Sequence, residues 1–136
     1  MNIHTNIPLK NFTTMKLGGN ARFMGEAFSP QDITDIYRNA KAQQLPVFIL
    51  GGGSNVIAPD EDYPGIIVRN RIAGFEVIAE DTVGITIKIG AGENWDEVVK
   101  RTVDMKLSGI ETMSAIPGTA GAQPVQNVGA YGHEIA

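Results

Sequence analysis

The sequence predicts an α+β fold of two small lobes, on three observations. A strand–helix–strand run ends in a glycine turn at residues 51–55. A hairpin pattern is followed directly by a second helix. Beyond Gly109 the periodicity disappears and glycine, alanine and proline take over. The order β-α-β-turn-β, then β-β-α, mixes the two element types in the α+β manner. At 136 residues the chain suits one modest domain or two small lobes sharing a ligand. The expected division is residues 1–70 for the first lobe and 71–136 for the second, with a linker near residues 70–74.

The elements follow in order. Small and apolar residues at 21–27 suggest a short strand. Ser29 is a good N-cap, Pro30 suits the first helical position, and Asp32 stands three residues after the cap. Ile33, Ile36, Tyr37 and Ala40 then recur at i, i+3, i+4 and i+7, one apolar helical face that must end before Pro46. Val47–Leu50 is a short buried-strand pattern running into Gly51-Gly52-Gly53-Ser54-Asn55, and a strand over residues 66–68 follows Gly65. Residues 75–79 and 85–89 flank Glu80-Asp81-Thr82-Val83-Gly84 and read as a hairpin. Asn94 starts a second helix, with Glu97 as its capping-box partner and Trp95, Val98, Val99 and Val103 on its apolar face.

Composition excludes several classes. The hydrophobic fraction of 43% supports a packed core, and 19% charged residues argue against wholesale disorder. A net charge of -4 and the lack of a basic stripe give no reason to expect a nucleic-acid partner. There is no cysteine, which removes disulfides, thiolate metal sites and cysteine nucleophiles. His4 and His133 are too isolated in sequence to suggest a metal site, so no metal ligand is assigned. The N-terminal residues lack the basic and apolar regions of a signal peptide, and no apolar run is long enough to cross a bilayer. The default location is cytoplasmic.

Two stretches carry chemistry. After a strand, successive glycines reach positive φ at little steric cost, so consecutive N–H groups converge on an anion and phosphate oxygens come close. Gly51, Gly52 and Gly53 have this character, and Ser54 and Asn55 add a hydroxyl and an amide. No Gly-Lys-Ser/Thr follows, and no helix begins at the turn, so neither a Walker loop nor a Rossmann fingerprint is present. A bare strand-to-loop turn has the same sequence. The second stretch, residues 115–132, has no ionisable side chain other than Tyr131. Gly118, Gly121, Gly129 and Gly132 permit close backbone approach. Tyr131 can pack beside an aromatic ring, and Gln126 and Asn127 can read the polar edge of a heterocycle. The alternative is a loop crossing the core, its amides satisfying stray backbone groups.

Other candidates read as structural. Trp95 suits the core. Lys16, Arg69 and Arg71 read as surface or rim charges, the two arginines also being able to face a phosphate. Asp60-Glu61-Asp62, between Pro59 and Pro64, reads as a solvated turn. Glu93 suits a helix start or, less directly, a contact to adenine or ribose. His133 lacks a partner to orient it as a base. No residue is assigned to catalysis.

The stretches PVFILGGGSNVI, IGAGENWDEVVK and AIPGTAGAQPVQNVGAYGHEI, with NFTTMKLGGNARF near the start, resemble the UDP-N-acetylenolpyruvoylglucosamine reductase (UDP-N-acetylmuramate dehydrogenase, MurB) family. The resemblance runs in order from Asn11 to Ile135, and its third motif is long and specific. It implies an FAD-binding fold of the vanillyl-alcohol-oxidase/PCMH type, two α+β lobes with noncovalent FAD between them. By resemblance, Gly51, Gly52, Gly53, Ser54 and Asn55 receive the pyrophosphate. Ile116, Pro117, Gly118, Gly121, Ala122, Gln126, Asn127, Gly129, Ala130, Tyr131 and Gly132 line the isoalloxazine and ribityl region. It also implies NADPH as reductant and an enolpyruvyl UDP-sugar as substrate, in peptidoglycan synthesis. The family's catalytic serine, glutamate and arginine lie downstream of the GAYG motif. The second lobe therefore looks truncated, the substrate-binding domain absent, and the chain inactive alone, as the N-terminal part of a longer enzyme. Another FAD-linked oxidase of the same fold, or a non-catalytic flavin module that self-associates through an open sheet edge, are the competing expectations.

Overall fold

The computed structural model describes residues 2–135. The chain divides into two compact units, Met1–Arg71 and Ile72–Ala136.

The first unit contains β1 (Ile3–Pro8), β2 (Asn20–Ala27), α1 (Pro30–Ala42), β3 (Val47–Leu50) and β4 (Tyr63–Asn70). They form a four-stranded sheet in the order β1-β2-β4-β3. β1 runs antiparallel to β2, and β4 lies parallel to both β2 and β3. Gly65, Ile66, Ile67 and Val68 of β4 are all buried, because a parallel strand between two others is covered on both faces. Ile66 and Val68 meet Ala27, Ile36 and Ala40 on the α1 side. Ile67 meets Leu9, Met24, Leu50 and Ala58 on the other.

Local signals place α1 as the sequence predicts. Ser29 Oγ accepts from the Asp32 N–H at 3.2 Å, and Asp32 Oδ2 accepts from the Ser29 N–H at 2.9 Å, a reciprocal capping box. Strand β4 is longer than the predicted three residues because β2 and β3 both extend its ladder. Its register with β2 breaks between Ala21 and Phe23, beside Pro64, which has no N–H to offer a neighbour. Strand β1 is absent from the sequence prediction, although Ile3, Thr5 and Ile7 alternate as β-branched residues should.

The second unit contains β5 (Phe75–Glu80), β6 (Ile85–Ile89), α2 (Trp95–Asp104) and the short pair β7 (Gly129–Ala130) and β8 (His133–Glu134). β5 and β6 form the predicted antiparallel hairpin. Asp81 Oδ1 closes its turn by accepting the Val83 and Gly84 N–H groups at 2.7 and 2.9 Å. Asn94 caps α2 by accepting the Glu97 N–H at 3.1 Å. The apolar face of α2 is Trp95, Val98, Val99 and Thr102. The expected Val103 is exposed, since the position a full two turns beyond Trp95 is residue 102. The Thr102 hydroxyl is satisfied by donating to Val99 O at 2.7 Å.

Two predictions follow from this packing. Ile36 is fully buried between α1 and the sheet; Ile36→Ala should lower unfolding free energy by about 2–5 kcal/mol in urea titrations, the usual cost of such a cavity. Four carboxyls are held below their ordinary range: Asp32 by the Ser29 hydroxyl, Asp81 by the Gly84 N–H, Asp96 by the Ala115 N–H, and Glu111 by its own and the Gly109 N–H. A depressed carboxyl stabilises the fold above its unfolded pKa of roughly 4 and loses that contribution as pH falls through the folded value. The urea midpoint should therefore drop between neutral pH and about pH 3; an unchanged midpoint would show that these bonds contribute nothing.

Candidate functional site

The glycine turn leaves the carboxyl end of β3, the edge where parallel strands commonly present ligand sites. Its conformation is dictated from outside. Gly53 is buried with φ at +73°, and a Cβ there would run into the carbonyl oxygen of Phe12. The Thr14 N–H donates to Gly53 O at 2.9 Å, so residues 12–14 back the turn. Thr13 behind it is buried, its hydroxyl donating to Leu17 O at 2.8 Å. Gly52 and Asn55 are exposed, while Gly51 and Ser54 are half-buried. Among the described residues, no loop hydrogen bond between main-chain groups uses the N–H of Gly52, Gly53 or Ser54. A turn of this kind suits an anion: Phe12 fixes one side of it, and the N–H groups of its glycines are not used in loop hydrogen bonds among the described residues.

Arg69 is half-buried and partnered on two sides. Its guanidinium lies 4.7 Å from the centroid of the Phe12 ring and 3.0 Å from Glu26 Oε1. Burial pulls it below the usual guanidinium value, Glu26 opposes that shift, and nearby Arg71 adds to it.

In the second unit the glycine-rich loop is stitched to the segment that leads into α2. The Trp95 N–H donates to Gly118 O at 3.1 Å, Ala120 N–H to Glu93 O at 2.9 Å, and Gly121 N–H to Ala91 O at 3.0 Å. A Cβ on Gly121 would come within 2.6 Å of Ala91 Cβ, so only glycine lets the two backbones lie this close. Asp96 Oδ1 holds the start of the loop, accepting from Ser114 Oγ at 2.8 Å and the Ala115 N–H at 2.6 Å. Ala115 there adopts φ of +63°, a conformation costing roughly 1–2 kcal/mol for a residue with a Cβ.

The predicted loop residues differ in burial. Ile116 packs against the cluster of Trp95, Val98, Val99 and Met113. Gly118, Gly121, Ala122 and Ala130 are half-buried; Pro117, Gly129 and Gly132 are exposed. Gln126 and Asn127 are exposed, with Gln126 Nε2 donating to Gln123 Oε1 at 3.3 Å and Asn127 Nδ2 to Glu134 Oε2 at 2.9 Å. The Tyr131 ring is 90% exposed. Gln123 is completely buried, its side-chain Nε2 donating to Pro117 O at 3.3 Å and its main-chain carbonyl accepting the Val128 N–H at 3.1 Å. Its role was hidden because an amide among small residues reads equally well as a ligand contact. Glu93 directly precedes the N-cap Asn94 of α2. Its carboxylate accepts the Gly74 N–H at 2.7 Å and so ties the start of the hairpin to the segment before α2. Trp95 is core, its Nε1–H satisfied by Met113 O at 3.1 Å. Among the described residues no cluster of histidine and acidic side chains could hold a metal.

Taken by itself, the glycine turn of the first unit suits phosphate groups, and taken by itself, the side-chain-poor, uncharged loop of the second suits a flavin ring. Comparison with known proteins agrees. A family described as "FAD binding domain" matches residues 25–136. The UDP-N-acetylenolpyruvoylglucosamine reductase of Salinispora arenicola is 44% identical over 128 residues, 94% of this chain and 35% of the relative. The enzyme of that name from Pseudomonas fluorescens is 37% identical over 135 residues, 99% of this chain and 40% of the relative. The crystal structure of UDP-N-acetylenolpyruvylglucosamine reductase (MurB) from Thermus caldophilus superposes with a TM-score of 0.73 at 28% identity, covering 98% of this chain and 45% of that one. The chain thus spans less than half the length of each of these proteins. With most of its residues matched by the family, the chain belongs to the FAD binding domain family, and it resembles the UDP-N-acetylenolpyruvoylglucosamine reductases over nearly its whole length.

Proposed function

We propose that this chain holds FAD noncovalently and forms the FAD-holding part of an NADPH-dependent reductase that makes UDP-N-acetylmuramate from UDP-N-acetylglucosamine enolpyruvate, in cytoplasmic peptidoglycan synthesis. The observation that carries the cofactor is Gly53, held at positive φ with its back against the Phe12 carbonyl, at the head of a turn with bare donors. Gly51, Gly52, Gly53, Ser54 and Asn55 take the pyrophosphate. Ile116, Pro117, Gly118, Gly121, Ala122, Gln126, Asn127 and residues 129–132 take the ring and ribityl region. The absence of cysteine agrees with a noncovalent cofactor. The choice of reaction rests on the names of the relatives. When bound, the isoalloxazine supplies the hydride chemistry, and the chain contributes binding, orientation and electrostatics.

The same proposal includes no nucleic-acid partner, in keeping with the net charge of -4. No helix among the described residues is long and apolar enough to cross a membrane.

The protein should take up FAD from excess and retain visible flavin absorption after gel filtration. Gly53→Ala, which puts a methyl against the Phe12 carbonyl, should weaken FAD binding at least about tenfold, equivalent to roughly 1.4 kcal/mol. Folded protein that remains colourless in excess FAD would end the proposal. Full-length protein that reduces other substrates with NADPH, but not the enolpyruvyl sugar nucleotide, would leave the cofactor standing and remove the reaction.

A further inference from the structure

We propose that Arg69 is the positioning cation of the glycine turn: its guanidinium, in surplus with Arg71 over the one carboxylate of Glu26, supplies the counter-charge for the phosphates that the turn receives. The inference rests on the FAD reading and adds a charged side chain to a site otherwise made of main-chain donors.

The placement comes from register. Leu50, the residue before Gly51, lies opposite Arg69 on β4, and Arg69 lies opposite Glu26 on β2. The three stand in a row across the carboxyl end of the parallel strands. Arg69 therefore starts beside the first residue of the turn. Its guanidinium turns onto the Phe12 ring at 4.7 Å, and Phe12 is the residue whose carbonyl backs Gly53. One side chain thus touches the wall that shapes the turn and brings a permanent charge to it.

The charge balance gives the second half of the case. Glu26 Oε1 is 3.0 Å from Arg69 Nη1 and 3.9 Å from Arg71 Nε, so two guanidiniums share one carboxylate. That leaves a local positive surplus in a chain whose net charge is -4. Main-chain N–H groups offer only partial charges, whereas a pyrophosphate brings full negative charges into a half-buried place where screening is weak. A guanidinium is suited to this because it stays protonated and presents several donors in one plane. The Arg69 side chain is 26% exposed, enough to reach an anion and too little to be fully screened.

The test is FAD affinity at low and raised ionic strength for the wild type, Arg69→Met, Arg69→Lys and Glu26→Gln, with folding checked by circular dichroism. Arg69→Met should weaken FAD binding about tenfold at low salt, the size of a lost charged hydrogen bond, and flatten the salt dependence. Arg69→Lys should restore most of the salt dependence. Glu26→Gln, which removes the competing carboxylate, should tighten binding at low salt. Wild-type affinity and salt dependence in Arg69→Met would overturn the inference alone. Weakening by Arg69→Met with an unchanged salt dependence would do the same, since a purely structural stack on Phe12 behaves that way. If Arg69→Met does not fold, weaker binding by Glu26→Gln overturns it instead. A wild type that takes up no FAD would overturn the cofactor reading and this inference together.

Discussion

The contact between the Phe12 carbonyl and Gly53 is the constraint on which the first unit's site depends. Two stretches of main chain meet there with no room for a Cβ, and the Thr14 N–H locks the arrangement through Gly53 O. Because the back of the turn is occupied, its conformation is set before any ligand arrives, which lowers the ordering cost of binding. The sheet makes this possible. β4 is buried on both faces, and its neighbour β3 delivers the turn at a fixed height.

The second unit reaches a similar end by other means. Here Gly121 lets the loop lie directly on Ala91, and three main-chain hydrogen bonds at 2.9–3.1 Å join the loop to Ala91, Glu93 and Trp95. Helix α2 contributes twice, offering Trp95, Val98 and Val99 as a floor and Asp96 as a clamp on Ser114 and Ala115. The loop is thus poor in side chains without being loose, since its polar main-chain groups find partners along its inner edge. A buried amide, Gln123, completes the seal that small residues alone could not make.

Electrostatics separate the two units. Residues 115–132 carry no side chain charged at neutral pH, whereas the end of the first unit's sheet gathers Glu26, Arg69 and Arg71. The acidic character of the whole chain makes the arginine cluster more notable as a local feature than it would be in a basic protein.

Much of this was legible from the residues themselves. The α1 capping box, the Val47–Leu50 strand, the hairpin and the start of α2 all rest on interactions within a few residues, where side-chain chemistry and period decide the outcome. The two glycine stretches were legible for the same reason, as departures from any period. Long-range contacts decided the rest. Nothing near Arg69 announces Phe12, 57 positions earlier and above it in space, nor Glu26 across the ladder. Glu93 caps a distant N–H at Gly74, and Gln123 is buried because Pro117 and Val128 fold over it. Composition and local spacing determined which segments become helix, strand and bare turn. Only the tertiary structure decided which groups face one another, because a side chain's partner and burial are set by strand register and packing rather than by its neighbours in sequence.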